Sequence, residues 1–109
     1  MSFVNEKKVT KGLDRDIVHA RIQLEGIVQG VGFRPFVCRL AHSLEINGWV
    51  MNSPEGITIE AECRRHLLKR FLSALNTKKP KHARIKNCRV EFSKPVGIKG
   101  FEMKSNEST

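Results

Sequence analysis

Two segments of this chain repeat apolar residues at helical spacing, and each lies between segments that alternate apolar with polar residues. That interleaving restricts the fold more than any other property of the sequence. Phe36, Val37, Leu40, Ala41 and Leu44 make one stripe, and Leu67, Leu68, Phe71, Leu72 and Leu75 make the other, each the mark of an amphipathic helix with one face to bury. The first helix is expected over 35–46. Pro35 suits a first helical position, where its fixed φ fits and its missing N–H would be unpaired anyway, and Asn47-Gly48 tolerates the left-handed backbone that often ends a helix. The second helix is expected over 65–76. Ahead of the first, Ala20, Ile22, Leu24, Gly26 and Val28 alternate with Arg21, Gln23 and Glu25, the period of a half-buried strand. Between the helices, Gly48-Trp49-Val50-Met51-Asn52 and residues 57–63 flank the turn residues Ser53-Pro54-Glu55-Gly56 and read as a hairpin. A long strand is expected over 83–93, where the apolar positions change parity between Ile85 and Cys88, as a bulge near Lys86-Asn87 would require. Phe101-Glu102-Met103 adds a short fifth strand.

The order is therefore β-α-β-β-α-β with that fifth strand. Two one-faced helices are buried most simply on one face of a largely antiparallel sheet, which predicts an α/β (α+β) sandwich of the ferredoxin-like kind. The 109 residues suffice for a single core, since a chain of this size hides roughly two-thirds of its unfolded surface. Residues 1–18 show no sustained period and are expected to form a flexible arm, 19–103 the domain, and 104–109 a polar tail.

The net charge of +9 is unevenly placed: residues 64–90 hold ten of the twenty cations and no Asp or Glu, so the remaining ten cations face eleven anions elsewhere. Three cysteines, Cys38, Cys63 and Cys88, form no C-x-x-C pair and are expected to be free thiols rather than a disulfide framework or a zinc ribbon. No apolar run approaches the roughly 18 residues of a membrane span, and no apolar core follows the charged start as a secretory signal would require. A cytoplasmic protein with no membrane partner is expected. His19, His42, His66 and His82 are scattered and expected at the surface, and Glu60 and Glu62 on the outward face of their strand. Trp49 and Phe33 are expected in the core or a pocket wall, and Met51 on the opposite face of its strand.

The one dense group of special residues is Gly26-Ile27-Val28-Gln29-Gly30-Val31-Gly32-Phe33-Arg34, a glycine-bearing turn between a strand and a helix. Glycine lets backbone N–H groups converge, and such a nest at a helix N-terminus suits an anion. Arg34 adds a planar fork able to donate two parallel bonds to phosphate oxygens. By spacing alone the turn is neither a Walker loop nor a dinucleotide fingerprint, so the signal for phosphate is weak and a tight turn with a solvated Arg34 stands beside it. Asn52, ahead of Ser53-Pro54, likewise reads as a turn residue by itself.

The run Gly26-x-Val28-Gln29-Gly30-Val31-x-Phe33-Arg34, with Ala41, Gly48-Trp49-Val50-x-Asn52 and Gly56, resembles the acylphosphatase family over roughly residues 20–103. The resemblance implies hydrolysis of an acyl phosphate such as acetyl or carbamoyl phosphate. It assigns the phosphoryl group to the loop of Gln29, Gly30, Val31, Gly32 and Phe33 with the side chain of Arg34, and assigns the orientation of the attacking water to Asn52. It implies no cofactor and no metal. Phe33-Arg34-Pro35-Phe36-Val37-x-Arg39-Leu40-Ala41, Pro80-x-x-Ala83-Arg84-Ile85 and Gly100-Phe101-x-x-x-Ser105 look like the N-terminal acylphosphatase-like domain of hydrogenase-maturation carbamoyltransferases of the HypF type. That family's longer members continue into C-x-x-C pairs and ATP-using domains, which do not follow before Thr109, so an excised first domain and a stand-alone relative are both open. Two other functions compete. One is a domain that binds carbamoyl phosphate with little hydrolysis, partnered by further domains of a carbamoyltransferase. The other is a basic nucleic-acid module, against which stands the lack of aromatic residues on the 20–25 and 57–62 strands.

Overall fold

The computed structural model describes residues 16–105. The chain runs β1 (Ile17–Ile27), α1 (Phe33–Ser43), β2 (Asn47–Ser53), β3 (Gly56–Arg64), α2 (Arg65–Thr77), β4 (Arg84–Ser93) and β5 (Phe101–Met103). One five-stranded sheet has the order β4-β1-β3-β2-β5. Its neighbours are antiparallel except for β2 and β5, which run parallel. Both helices cover one face: α1 packs on β2 and β5, α2 packs on β3, and the helices touch each other. This is the ferredoxin-like arrangement that the alternating periods predict. Most of the N-terminal stretch read as an arm, and the tail beyond 105, lie outside the described residues; β1 begins at Ile17, ahead of the Ala20 at which alternation becomes legible.

The core is built by period. Ala20, Ile22 and Leu24 of β1, Val50 of β2, and Ile57, Ile59, Ala61 and Cys63 of β3 are buried against Phe33, Val37 and Ala41 of α1 and Leu68, Phe71 and Leu75 of α2. The parity change in β4 is a bulge: Glu25 pairs with Asn87 and Gly26 with Ile85, which leaves Lys86 without an opposite residue.

Helix α1 departs from expectation at both ends. It opens at Phe33, so Pro35 is its third residue, where a missing N–H is equally harmless because no first-turn N–H has an intrahelical partner. It closes at Ser43, before Asn47-Gly48. Glu45 takes the left-handed conformation (φ 58°); its N–H donates to the His42 carbonyl at 3.1 Å, and that of Ile46 to the Ala41 carbonyl at 2.9 Å. This is a Schellman closure with the buried Ile46 as its apolar lock. Asn47 and Gly48 belong to β2 instead, where a β-carbon on Gly48 would stand 1.8 Å from the Glu60 carbonyl oxygen.

One further expectation is corrected on the sheet's second face. His19 is buried rather than at the surface; Glu60 and Glu62 do lie on this outward face, as expected, and are buried there too. The chain must pass from β4 at one edge of the sheet to β5 at the other, and it crosses this face. The N–H groups of Val96, Gly97 and Ile98 donate to the Glu62 carboxylate at 2.6, 2.8 and 3.0 Å. His19 lies between Glu62, at 2.6 Å from Nδ1, and Glu60, which meets Nε2. Arg21 donates to the other Glu60 oxygen at 2.5 Å. With a carboxylate on each ring nitrogen, His19 is satisfied as an imidazolium. Burial pulls its pKa down, but the bonds and charges of Glu62 and Glu60 outweigh this and raise it.

Candidate active site

The loop from Val28 to Gly32 leaves the end of β1 and delivers the chain to the N-terminus of α1. Gly30 (φ 73°) and Gly32 (φ 81°) both take the left-handed conformation, and Gly32 is the N-cap of α1. A side chain at either position would cost roughly 1–2 kcal/mol in this backbone region, whereas glycine enters it freely. Among the described residues no side chain caps the helix, and no acidic residue occupies its first turn. Phe36 donates to the Gly32 carbonyl at 3.3 Å, and among the described residues none accepts from the backbone N–H groups of 30–34. The positive end of the helix dipole is thus left open to an anion.

The loop is braced from below. Val31 rests on the core and Phe33 is fully buried, with its ring edge-on to Phe36 at 5.4 Å between centroids. The side chain of Gln29 donates to the carbonyls of Ser53 and Gly56, each at 2.7 Å. Gln29 therefore ties the loop to the β2–β3 turn and has only its backbone N–H to offer an anion. Arg34, in the first turn of α1, donates from one terminal nitrogen to the Lys104 carbonyl at 3.3 Å. Among the described residues no carboxylate pairs with it, so most of its fork is uncommitted.

Asn52 sits one residue before the turn that Gln29 grips. It is opposite Ile57, which is opposite Leu24, so Asn52 shares the helix-covered face of the sheet with Val50. Its rung lies at the end of β1 from which the loop emerges. The side-chain Oδ1 of Asn52 is buried without a hydrogen-bond partner, an arrangement that costs about 1–3 kcal/mol unless a ligand or water supplies a donor. The register of the sheet and the Gln29 brace thus bring the glycine loop, Arg34 and Asn52 to one end of the sheet.

Sequence reasoning missed Lys104. Its N–H donates to the Val50 carbonyl at 2.8 Å while its carbonyl accepts from Arg34, and its ammonium lies 4.7 Å from the centre of the Trp49 ring, within cation–π range. A contact spanning seventy residues leaves no local signal. Trp49 itself is half-buried. Burial raises the pKa of every thiol: at Cys38 it outweighs the lowering by Arg34 and Arg39, with the Glu62 charge it pushes Cys63 up to about 11, and it raises Cys88 as well. All three cysteines are free.

Residues 20–103 match the family model described as acylphosphatase. The chain belongs to the acylphosphatase family. Membership makes it a hydrolase of the acylphosphatase class, and the relatives are of two sizes. An acylphosphatase of Thermotoga maritima is 45% identical over 85 residues, covering 77% of this chain and 93% of its own length. A carbamoyltransferase HypF of Rhizobium leguminosarum is 36% identical over 95 residues, covering 87% of this chain but 12% of its own length. The solved structure of full-length HypF in a phosphate- and nucleotide-bound form superposes with a TM-score of 0.81 at 31% identity, over 88% of this chain and 13% of that one. The acylphosphatase domain of this chain is thus similar both to whole small enzymes and to a minor part of a large one.

Proposed function

We propose that this acylphosphatase hydrolyses the carboxyl–phosphate bond of a small acyl phosphate, acetyl or carbamoyl phosphate, with Arg34 and the loop amides of 29–34 holding the phosphoryl group and Asn52 orienting the attacking water. The observation that carries the reading is the partnerless, buried Oδ1 of Asn52 at the end of the sheet where an uncapped helix N-terminus and Arg34 lie. A water donating to that oxygen would be held in place with its lone pairs free for attack.

The chemistry asks little more of the protein. The water oxygen bonds to phosphorus as the bond from phosphorus to the acyl oxygen breaks, and the electron pair leaves on a carboxylate. The conjugate acid of that group has a pKa of about 4, so no general acid has to protonate it. The proton lost by the water passes to solvent. Phosphoryl transfer through a loose transition state depends on positioning the nucleophile and neutralising the equatorial oxygens. Asn52 serves the first need; Arg34 and the amides serve the second. The products are carboxylate, or carbamate from carbamoyl phosphate, and inorganic phosphate. The setting that suits three free thiols is the cytoplasm, where they stay reduced.

The test is phosphate release from acetyl and carbamoyl phosphate. Arg34→Ala and Asn52→Ala should each lower kcat/KM by about 100-fold or more, the usual effect of losing one group that stabilises a transition state. Unchanged rates in both variants would overturn the assignment. The HypF relatives favour a second reading, a domain that takes up carbamoyl phosphate with little turnover for a longer carbamoyltransferase. Calorimetric binding of carbamoyl phosphate without phosphate release would select it.

A further inference from the structure

Hydrolysis at the glycine loop leaves the basic half of the molecule unused. Helix α2 and the residues after it carry the whole charge excess, and the charge is placed against the helix's own stability. Arg65 opens α2, no acidic residue occupies its first turn, and the helix dipole disfavours cations there. Arg65 and Lys69 are four residues apart and Arg70 follows, so cations gather along one side of the helix. Such an arrangement is costly to an isolated domain and is offset by an anionic partner.

Beside this surface runs an open groove of about 470 Å³ between the two helices. Half-buried Leu40, Leu44 and Ala74 give it an apolar lining, and exposed Lys69, Arg70 and Lys78 stand along its α2 side. Among the described residues none of these three cations is paired with a carboxylate. Of the three hydroxyls that line it, Ser43 donates to the Leu40 carbonyl and Thr77 to the Ser73 carbonyl, while the exposed Ser73 side chain faces a partner. The groove thus offers apolar contact, one serine hydroxyl and positive charge along its α2 side.

We propose that the α1–α2 groove is a docking site for an acidic amphipathic protein segment, with leucine-like side chains on Leu40, Leu44 and Ala74 and carboxylates facing Lys69, Arg70 and Lys78. An amphipathic segment in a groove is a recurrent mode of recognition, and complementary charge supplies its orientation and encounter rate. A nucleic acid fits less well, because no aromatic side chain lines the groove for base stacking. The groove is lined by the C-terminal part of α1 and by α2, and neither the loop nor Arg34 nor Asn52 lines it, so docking and hydrolysis are separable.

The probe is a synthetic helical peptide with leucines on one face and glutamates flanking them, titrated into 15N-labelled protein. Three comparison ligands accompany it: the same peptide with Gln for Glu, the same peptide with Ser for Leu, and a single-stranded RNA. The acidic amphipathic peptide is expected to shift the amide signals of residues 40–44 and 69–78. Both altered peptides should bind at least about tenfold more weakly, as should the acidic peptide to the double variant Lys69→Glu, Arg70→Glu. That variant changes only exposed side chains and should release phosphate from acetyl phosphate at the parent rate. The proposal fails if no shifts occur up to about 1 mM peptide, if they fall outside the groove, if the Gln or Ser peptide binds equally well, or if RNA binds in preference to peptide.

Discussion

Asn52 holds a polar atom in a place that folding alone would have filled otherwise. A buried oxygen with no partner lowers stability, and a half-buried strand position next to the core tolerates an apolar residue at least as well. If the atom is kept for a water, removing it separates stability from activity. Asn52→Ala should leave the unfolding free energy unchanged or raise it by up to about 1 kcal/mol, while phosphate release collapses. Chemical denaturation beside an activity assay checks this; a destabilised variant that retains activity would make Asn52 a structural residue. The roles proposed for Arg34 and Asn52 come from the family resemblance of the short motifs around them, since by spacing alone each reads as an ordinary turn or surface residue. Gln29 is half legible: its place in the loop follows from the motif, but its side chain is a brace to Ser53 and Gly56. His19 is not legible, since its partners lie 41 and 43 residues away and alternation along β1 puts it on the face expected to be wet.

At the level of elements, period is a better guide than punctuation. The two stripes locate both helices, and the parity change in β4 locates the bulge at Lys86, because side-chain burial enforces both patterns. The ends of α1 are misplaced by sequence because Pro35 is tolerated anywhere in a first turn, and because Asn47-Gly48 meets a different demand, the close approach of β2 to β3. The actual stop is Glu45, a residue with no preference for the left-handed conformation it adopts. Its position is set by the Schellman bonds and by burial of Ile46. A β-carbon in this region costs roughly 1–2 kcal/mol, and glycine removes that cost but gains freedom in the unfolded chain. Glu45→Gly should therefore stabilise the protein by about 1 kcal/mol net, a rise of roughly 4–8 °C in Tm for a domain of this size. Thermal unfolding by circular dichroism measures it, and a fall in Tm would show that the Glu45 side chain contributes something the backbone argument omits.

For the molecule as a whole, the connection between opposite sheet edges is the element that needs holding, and Glu62 holds it. Residues 96–98 donate three N–H groups to one carboxylate, and that carboxylate is bound to His19, which also meets Glu60 and, through Glu60, Arg21. On β4, Glu91 stands opposite Arg21 at the exposed side of this group. The network makes stability depend on pH from two directions. Burial raises the Glu62 pKa less than the His19 bond and the three backbone donors lower it, so it lies below the ordinary 4.5. Its contribution is complete above about pH 4.5 and is lost as pH falls through the lowered folded value. The His19 pKa is raised above 6.5, so its contribution is complete below about pH 6.5 and is lost as pH rises through the raised folded value. Stability from the network should be greatest between about pH 4.5 and 6.5. Urea midpoints measured across pH should show that plateau. His19→Gln should remove the decline on the alkaline side, and Glu62→Gln should remove this network's part of the acid decline while costing about 2 kcal/mol within the plateau, the scale of hydrogen bonds to a charged group. A parent profile flat from about pH 4 to 9 would mean that the crossing segment is held by its backbone alone and that the buried charges are incidental to it.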